Sequence, residues 1–220
     1  MKIVRLLDVL SDEVRRLRQL AGEDLRAPVP TCPGWVLDDL IRHVARGYRI
    51  VLGQGSAPVG RTALAELDES YVPLVKAFAV RPDRFWIRRM AQESALHRFD
   101  AELALGLPIT PFPEDFALDG IGEMLDEFLH RETHNWTADY AAYLSEWGER
   151  WVRIGDWRVE VHPSGVDVTP TVSVDADARV RGEPGPLLLW LYNRDDDVFV
   201  EGDPALVAQL KLLLGTAMNA

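Results

Sequence analysis

The sequence predicts an α+β protein in which a helical bundle over residues 1–147 precedes a small α+β domain over residues 148–220. In the first part, apolar residues recur at three- and four-residue spacing, which is the period of amphipathic helices. Beyond Gly148 the pattern changes to alternating apolar and polar residues, which is typical of half-buried strands. The 220 residues are 47% hydrophobic and 27% charged, the composition of an ordinary globular protein.

Four helices are predicted in the first half of the chain. The first covers residues 3–21, and three prolines between residues 28 and 33 then impose an extended linker before the second. A loop over residues 54–60 leads to the third helix, and the fourth covers residues 84–104 and ends at Gly106. The predicted inner faces of the first three are Leu6, Leu10, Val14 and Leu17; Leu37, Leu40, Val44 and Val51; and Leu67, Tyr71, Leu74 and Phe78.

A long fifth helix is predicted over residues 116–147, with a weak stretch at residues 131–135 where it can bend. Short strands, a buried helix and a closing helix follow. The predicted strands are residues 151–153, 157–161, 166–168, 172–174 and 198–200, and the predicted helices are residues 187–192 and 204–214.

Charge and composition narrow the classes of partner. The net charge of -11 disfavours attraction to nucleic-acid phosphates and to an anionic membrane surface, so small molecules or proteins are the expected partners. The longest apolar run, residues 187–192, is far shorter than the ~18 residues that cross a bilayer. No signal-peptide pattern follows Met1, so we expect a cytoplasmic protein. Cys32 is the only cysteine, so a metal site would need nitrogen and oxygen ligands.

A candidate metal site lies on the fourth predicted helix. Glu93 and His97 are one helical turn apart in a stripe that otherwise carries apolar residues, where each would be desolvated at a cost of several kcal/mol unless paired. Both can reach one ion, and His43, near the apolar face of the second helix, is the best third ligand. Asp100 can orient a ligand imidazole. The alternative is a buried Glu–His ion pair without metal.

Other candidate residues point less clearly to a function. His130 and His134 form a second i, i+4 pair, but they fall on the side away from the apolar stripe and are expected to be solvated. Cys32 precedes a helix that can lower a thiol pKa, yet a small buried apolar role is favoured. Four arginines can bind a substrate carboxylate or pair with surface acids: Arg84, Arg88, Arg89 and Arg98.

Three segments resemble the mycothiol-dependent maleylpyruvate isomerase family, a branch of the DinB-like metalloproteins. Residues 29–35, Val-Pro-Thr-Cys-Pro-Gly-Trp, with Asp-Leu-Ile-Arg-His at 39–43, look like the entry to its metal helix. Residues 89–102, which contain Glu93 and His97, look like its second metal segment. Residues 187–194, Leu-Leu-Leu-Trp-Leu-Tyr-Asn-Arg, look like the helix of its C-terminal domain.

The resemblance implies a DinB-like bundle with zinc held by His43, Glu93 and His97, followed by a sterol-carrier-like α/β domain. It also implies mycothiol as the thiol cosubstrate, bound to zinc as a thiolate. Arg194 matches a position at the family's interdomain cleft, where it can hold a substrate carboxylate as a catalytic residue. Asn193 departs from the glycine usual before that arginine.

The leading hypothesis is therefore a zinc-dependent, mycothiol-using enzyme, either a cis-trans isomerase or an S-transferase acting on a small electrophile. A second hypothesis is a zinc-dependent hydrolase in which Glu93 is the general base. A third is a regulator that binds a metal or small ligand without catalysis.

Overall fold

The computed structural model describes residues 1–57, 59–144, 148–194 and 197–217. The chain divides into two compact units, Met1–Pro111 and Phe112–Ala220. The first contains helices, and the second contains helices and a mixed sheet, so the predicted α+β class is confirmed. Within the described ranges, no helix combines the length and apolar composition needed to cross a bilayer.

The first unit is built from four helices, each of which the sequence predicts. They are α1 (Ile3–Leu20), α2 (Leu37–Val51), α3 (Ala63–Val80) and α4 (Arg84–Ala104). Helix α4 packs against α1 and α2, and α2 also packs against α3. Asp83 caps the start of α4, and its carboxylate accepts from the backbone amides of Phe85 and Trp86. Gly106, with a φ of +63°, follows its end in the left-handed conformation that favours glycine.

The segment between α1 and α2 folds back on itself. The Val29 amide donates to the Trp35 carbonyl oxygen (2.9 Å), and the amides of Cys32 and Trp35 close the tight turns between them. Gly34 makes the reversal possible with a φ of +86°. The predicted extended linker is thus a hydrogen-bonded loop, which we call the α1–α2 loop (residues 27–36).

The second unit begins with an interrupted helical segment. It comprises α5 (Glu114–Gly122), a π-helical segment (Glu123–Arg131), α6 (Glu132–Asn135) and α7 (Thr137–Tyr140). The prediction of one continuous helix is wrong, because the backbone breaks at Trp136 with φ -125° and ψ 41°. The hydroxyls of Thr133 and Thr137 donate to carbonyl oxygens four residues earlier, which weakens a helix. Residues 145–147 of the predicted helix lie outside the described residues.

A five-stranded sheet follows, in the order β3-β2-β1-β4-β5. Strands β1 and β4 are parallel, and the other neighbours are antiparallel. The strands are β1 (Val152–Ile154), β2 (Trp157–His162), β3 (Gly165–Pro170), β4 (Ala178–Arg181) and β5 (Phe199–Gly202), and the last helices are α8 (Pro184–Leu191) and α9 (Pro204–Ala217).

The structure corrects the predicted strands at one place. The predicted strand at residues 172–174 is wrong, since Val172 and Val174 are exposed and belong to no strand. The fourth strand is instead β4, which the sequence analysis missed. Ala178 and Val180 are buried and alternate with two arginines, a short signal that arginine obscures.

The unit boundary and the predicted domain boundary fall at different positions. Residue 147 marks the change from helices to strands in the sequence, and a domain boundary at this residue stays a prediction. Helix α5 packs against α8, which explains why the compact units divide before α5.

A buried ion network joins α1 to α4. The Arg98 side chain is only 1% exposed, and its guanidinium donates to Glu13 (2.8 Å), Glu102 (3.0 Å) and the Thr110 carbonyl oxygen (2.6 Å). Glu102 also accepts from Arg16 (2.9 Å). Burial alone would raise the pKa of Glu102, but the hydrogen bonds from Thr110 and Arg16 outweigh it and lower that pKa. The network therefore satisfies the charges that α4 buries against α1.

Replacing Arg98 with Met should destabilise the protein by about 3–5 kcal/mol, because two buried carboxylates lose a charged partner. Denaturant unfolding followed by circular dichroism measures the change. Arg15→Met is the matched control, because Arg15 pairs with Asp12 at the surface and should shift stability by no more than about 0.5 kcal/mol. Equal effects of the two substitutions would contradict this role for the network.

Candidate metal centre

His43 on α2 and Glu93 and His97 on α4 meet at one point of the first unit. Their ligand atoms lie within 4.8 Å of one another. Glu93 Oε2 is 3.1 Å from His97 Nε2 and 4.0 Å from His43 Nε2, and the two imidazole centroids are 4.8 Å apart. Because α2 packs against α4, the second helix supplies the imidazole that the i, i+4 pair lacks.

His97 is fixed in orientation by a buried carboxylate. Its Nδ1 lies 2.9 Å from Asp100 Oδ2, and a carboxylate can only accept, so Nδ1 carries the proton. Asp100 Oδ1 in turn accepts from the Thr31 hydroxyl at 2.6 Å. Nε2 of His97 is then free to face Glu93. The sequence analysis predicted that Asp100 orients a ligand imidazole. It missed Thr31, because the α1–α2 loop brings that residue to Asp100.

Glu93 is held as a carboxylate by its neighbours. The Arg89 guanidinium donates to Oε1 at 2.5 Å, while Oε2 faces His97. Burial alone would raise the pKa of Glu93, but the charge of Arg89 and the hydrogen bond with His97 outweigh it, so the pKa lies well below its usual range. The sequence analysis considered Arg89 only as a substrate-binding or surface arginine.

The environment of the three side chains is asymmetric. The side chain of His97 is 7% exposed, whereas those of His43 and Glu93 are 40% and 33% exposed. The Trp35 ring packs on His43 with centroids 5.0 Å apart, so the α1–α2 loop borders one side of the group. The group is thus anchored at His97 and open to small molecules at His43 and Glu93.

The donor set fits a divalent transition metal. Ligand atoms of a tetrahedral site with bonds of ~2.0–2.1 Å lie about 3.3 Å apart, close to the 3.1 Å and 4.0 Å separations seen here. Two imidazoles and one carboxylate also leave room for a fourth, non-protein ligand, which is the pattern of catalytic zinc sites. The alternative is a salt bridge between Glu93 and one histidine without metal. It would leave the position of the second imidazole unexplained.

Arg194, the other predicted site residue, lies just after α8 in the second unit. Its guanidinium donates to the Tyr192 carbonyl oxygen at 3.0 Å and stands over the Tyr192 ring. Asn193 adopts a φ of +55°, the left-handed conformation that glycine adopts readily and asparagine tolerates. The asparagine at this position therefore preserves the turn that places Arg194.

The remaining candidate residues of the sequence analysis lie in different surroundings. Cys32 is half-buried in the α1–α2 loop. The expectation of surface partners is wrong for Arg98, whose partners Glu13 and Glu102 are buried. His130 and His134 are partly exposed as predicted, but they lie beside Asp167, which the helix pattern did not indicate.

Comparison with known proteins finds a described family that resembles part of the first unit. Residues 7–72 match the sequence model of a family described as the mycothiol maleylpyruvate isomerase N-terminal domain. The matched segment, which begins in α1 and ends in α3, is thus similar to that domain family. The resemblance predicted from the sequence is confirmed. The match includes His43 and ends before α4, so the grouping of Glu93 and His97 with it rests on the structure.

A solved structure is similar in fold to most of the chain. It is described as the crystal structure of the mycothiol-dependent maleylpyruvate isomerase, and it is 14% identical in sequence. The alignment covers 91% of this chain and 93% of that chain, with a TM-score of 0.53. No curated protein sequence matches this chain. The similarity in fold thus extends well beyond the segment that matches the family model.

The metal-free protein should hold His97 protonated to a higher pH than an ordinary histidine. Burial alone would lower the pKa of His97, but the hydrogen bonds to Asp100 and Glu93 outweigh it and raise the pKa above 6.5. The resulting stabilisation is fully present below pH 6.5 and is lost as the pH rises through the folded-state pKa. Nuclear magnetic resonance titration of the His97 ring in the presence of a chelator measures this value.

Asp100→Asn should lower the pKa of His97, because it removes the larger of the two favourable hydrogen bonds. Asp68→Asn is the control, since Asp68 pairs with Arg18 at the surface. Identical His97 titrations in both variants would show that Asp100 does not control the ring.

Proposed function

We propose that this protein is a zinc-dependent enzyme that uses mycothiol to act on a small electrophilic substrate. One observation carries the proposal: His43, Glu93 and His97 have their ligand atoms within 4.8 Å, in a chain whose N-terminal helices match the mycothiol maleylpyruvate isomerase N-terminal domain. The similar solved structure is described as a mycothiol-dependent maleylpyruvate isomerase, which favours isomerisation over thiol transfer.

Zinc is the metal that best suits these ligands. Imidazole and carboxylate donors without a thiolate suit zinc and its neighbours in the first transition row, whereas magnesium and calcium prefer oxygen ligands alone. When bound, the metal would keep a coordinated thiol deprotonated at neutral pH.

The chain's own residues prepare the site for a thiol. Asp100 holds the His97 ring with Nε2 directed at the ligand position, and Thr31 holds Asp100. The exposed sides of His43 and Glu93 leave a path by which a thiol from solvent can reach that position.

The reaction class follows from the thiol. The sulfur adds to one carbon of a cis carbon–carbon double bond that is conjugated to a carbonyl group, and the electron pair of that bond moves to the carbonyl oxygen. The former double bond can then rotate, and expulsion of the sulfur restores it in the trans form. The same addition without expulsion, completed by a proton, is an S-transfer.

Glu93 acts as a metal ligand in this proposal. A general base needs a pKa near the working pH, whereas the pKa of Glu93 lies well below its usual range. The Arg89 guanidinium and His97 also occupy both of its oxygens. These contacts disfavour the alternative in which Glu93 activates water in a hydrolase.

The first test is metal content and thiol dependence. Purified protein should contain about one zinc per chain that is lost in His97→Gln, measured by elemental analysis of both proteins. It should isomerise maleylpyruvate only when mycothiol is added. A protein that binds zinc and mycothiol by calorimetry without turnover would instead be a regulator, and one that ignores the thiol would overturn the proposal.

Glu93→Gln separates a ligand from a base. Loss of zinc at submicromolar concentration is expected, because the amide cannot replace the charge of the carboxylate. Asp68→Asn serves as the charge-matched control and should retain zinc. A Glu93→Gln protein that keeps its zinc and loses activity would favour the hydrolase.

We also propose that Arg194 holds a carboxylate of the substrate, the role that the family resemblance assigns to its position. Arg194→Lys should raise KM about 10-fold or more, since lysine keeps the charge but cannot donate two parallel hydrogen bonds. Zinc content should be unchanged. Steady-state kinetics against maleylpyruvate measure the effect, and Arg181→Lys, in an exposed pair with Glu201, is the control. An unchanged KM would remove Arg194 from the substrate site.

A further inference from the structure

The five histidines of the chain fall into two groups. Two of them belong to the centre in the first unit. The other three, His130, His134 and His162, lie around Asp167 in the second unit. Nothing in the proposed reaction uses the second group.

The second group repeats the donor set and spacing of the first. The ligand atoms of His130, His134 and Asp167 lie within 4.8 Å of one another. Asp167 Oδ1 is 3.0 Å from His134 Nε2, against 3.1 Å between Glu93 Oε2 and His97 Nε2. The two imidazole centroids are 4.8 Å apart, the same separation as between His43 and His97.

The fold builds this group from two separate elements. The histidines lie at the end of the π-helical segment and in α6, and Asp167 lies on β3. The Thr133 hydroxyl accepts from the Val166 amide at 2.9 Å, and His130 Nδ1 donates to the Val166 carbonyl oxygen at 2.8 Å, which leaves Nε2 of His130 as the nitrogen for a metal. These two contacts hold the helical segment against β3 at the positions beside the histidines.

Gly165 makes room for the group. A Cβ atom at this position would lie 2.6 Å from the His134 ring, and the backbone φ of +144° is one that side chains rarely permit. A larger residue would therefore push His134 away from Asp167. Glycine thus allows the imidazole to rest directly over the start of β3.

The charges around Asp167 favour a cation. Oδ1 faces His130 and His134, while Oδ2 faces His162 Nε2 at 3.6 Å. Glu160, opposite Asp167 in the β2–β3 pair, is neutralised by two hydrogen bonds from Arg158. One carboxylate and two imidazoles therefore remain as donors at the group.

We propose that His130, His134 and Asp167 form a second divalent transition-metal site. Imidazole donors select zinc, cobalt, nickel or copper over magnesium and calcium. The bound ion joins the helical segment to the β2–β3 hairpin. Because the three side chains are 34–49% exposed, this ion exchanges with solvent more readily than one anchored at His97.

Cobalt titration of chelator-stripped protein tests the proposal. Visible absorption and equilibrium dialysis with Co²⁺ should give two equivalents per chain for the unmodified protein. His134→Gln and Asp167→Asn should each bind one, and His97→Gln should also bind one. His162→Gln is the matched control and should still bind two, because its ring faces the other oxygen of Asp167.

Thermal unfolding separates loss of the site from loss of the fold. In the His97→Gln background, Zn²⁺ should raise Tm, because binding only the folded state stabilises it. Adding His134→Gln should abolish that shift, while both proteins unfold at the same temperature in chelator. A second equivalent that survives His134→Gln and Asp167→Asn, or that binds only at millimolar metal, would overturn the proposal. If the unmodified protein lacked the cobalt equivalent that depends on His97, that result would instead count against the proposed function.

Discussion

Helix α4 can be buried only because each charged side chain that it buries finds a partner. On the side of α1, Arg98 is compensated by Glu13 and Glu102. Toward the α1–α2 loop, Asp100 is compensated by His97 and Thr31. An unpaired charge in such surroundings would cost several kcal/mol, so these contacts fix how α4 sits against its neighbours. The position of the candidate metal centre depends on that placement.

The centre combines a rigid side with an accessible side. His97 is buried and held by Asp100, whereas His43 comes from α2 and is bordered by the Trp35 ring of the α1–α2 loop. A site of this kind keeps its ligands in place while it exchanges small molecules with solvent. In the proposed function, a low-molecular-weight thiol occupies the open side.

The two histidine groups show how surroundings differentiate the same donors. Both contain two imidazoles and one carboxylate at nearly equal spacing. At the first, Arg89 and Asp100 secure the ligands from behind. At the second, support comes from backbone atoms of Val166 and from a glycine that admits the His134 ring. The first arrangement suits a retained catalytic ion, and the second suits an exchangeable one.

The sequence by itself determined what depends on local periodicity. It predicted the four N-terminal helices, most of the strands and the i, i+4 placement of Glu93 and His97, because backbone geometry sets those relations. Only the tertiary structure decided which distant side chains meet them. Thr31 reaches Asp100 through the α1–α2 loop, and Asp167 reaches His134 across a strand and a helix. Such contacts depend on how packed elements satisfy buried polar groups, and no period in the sequence records that.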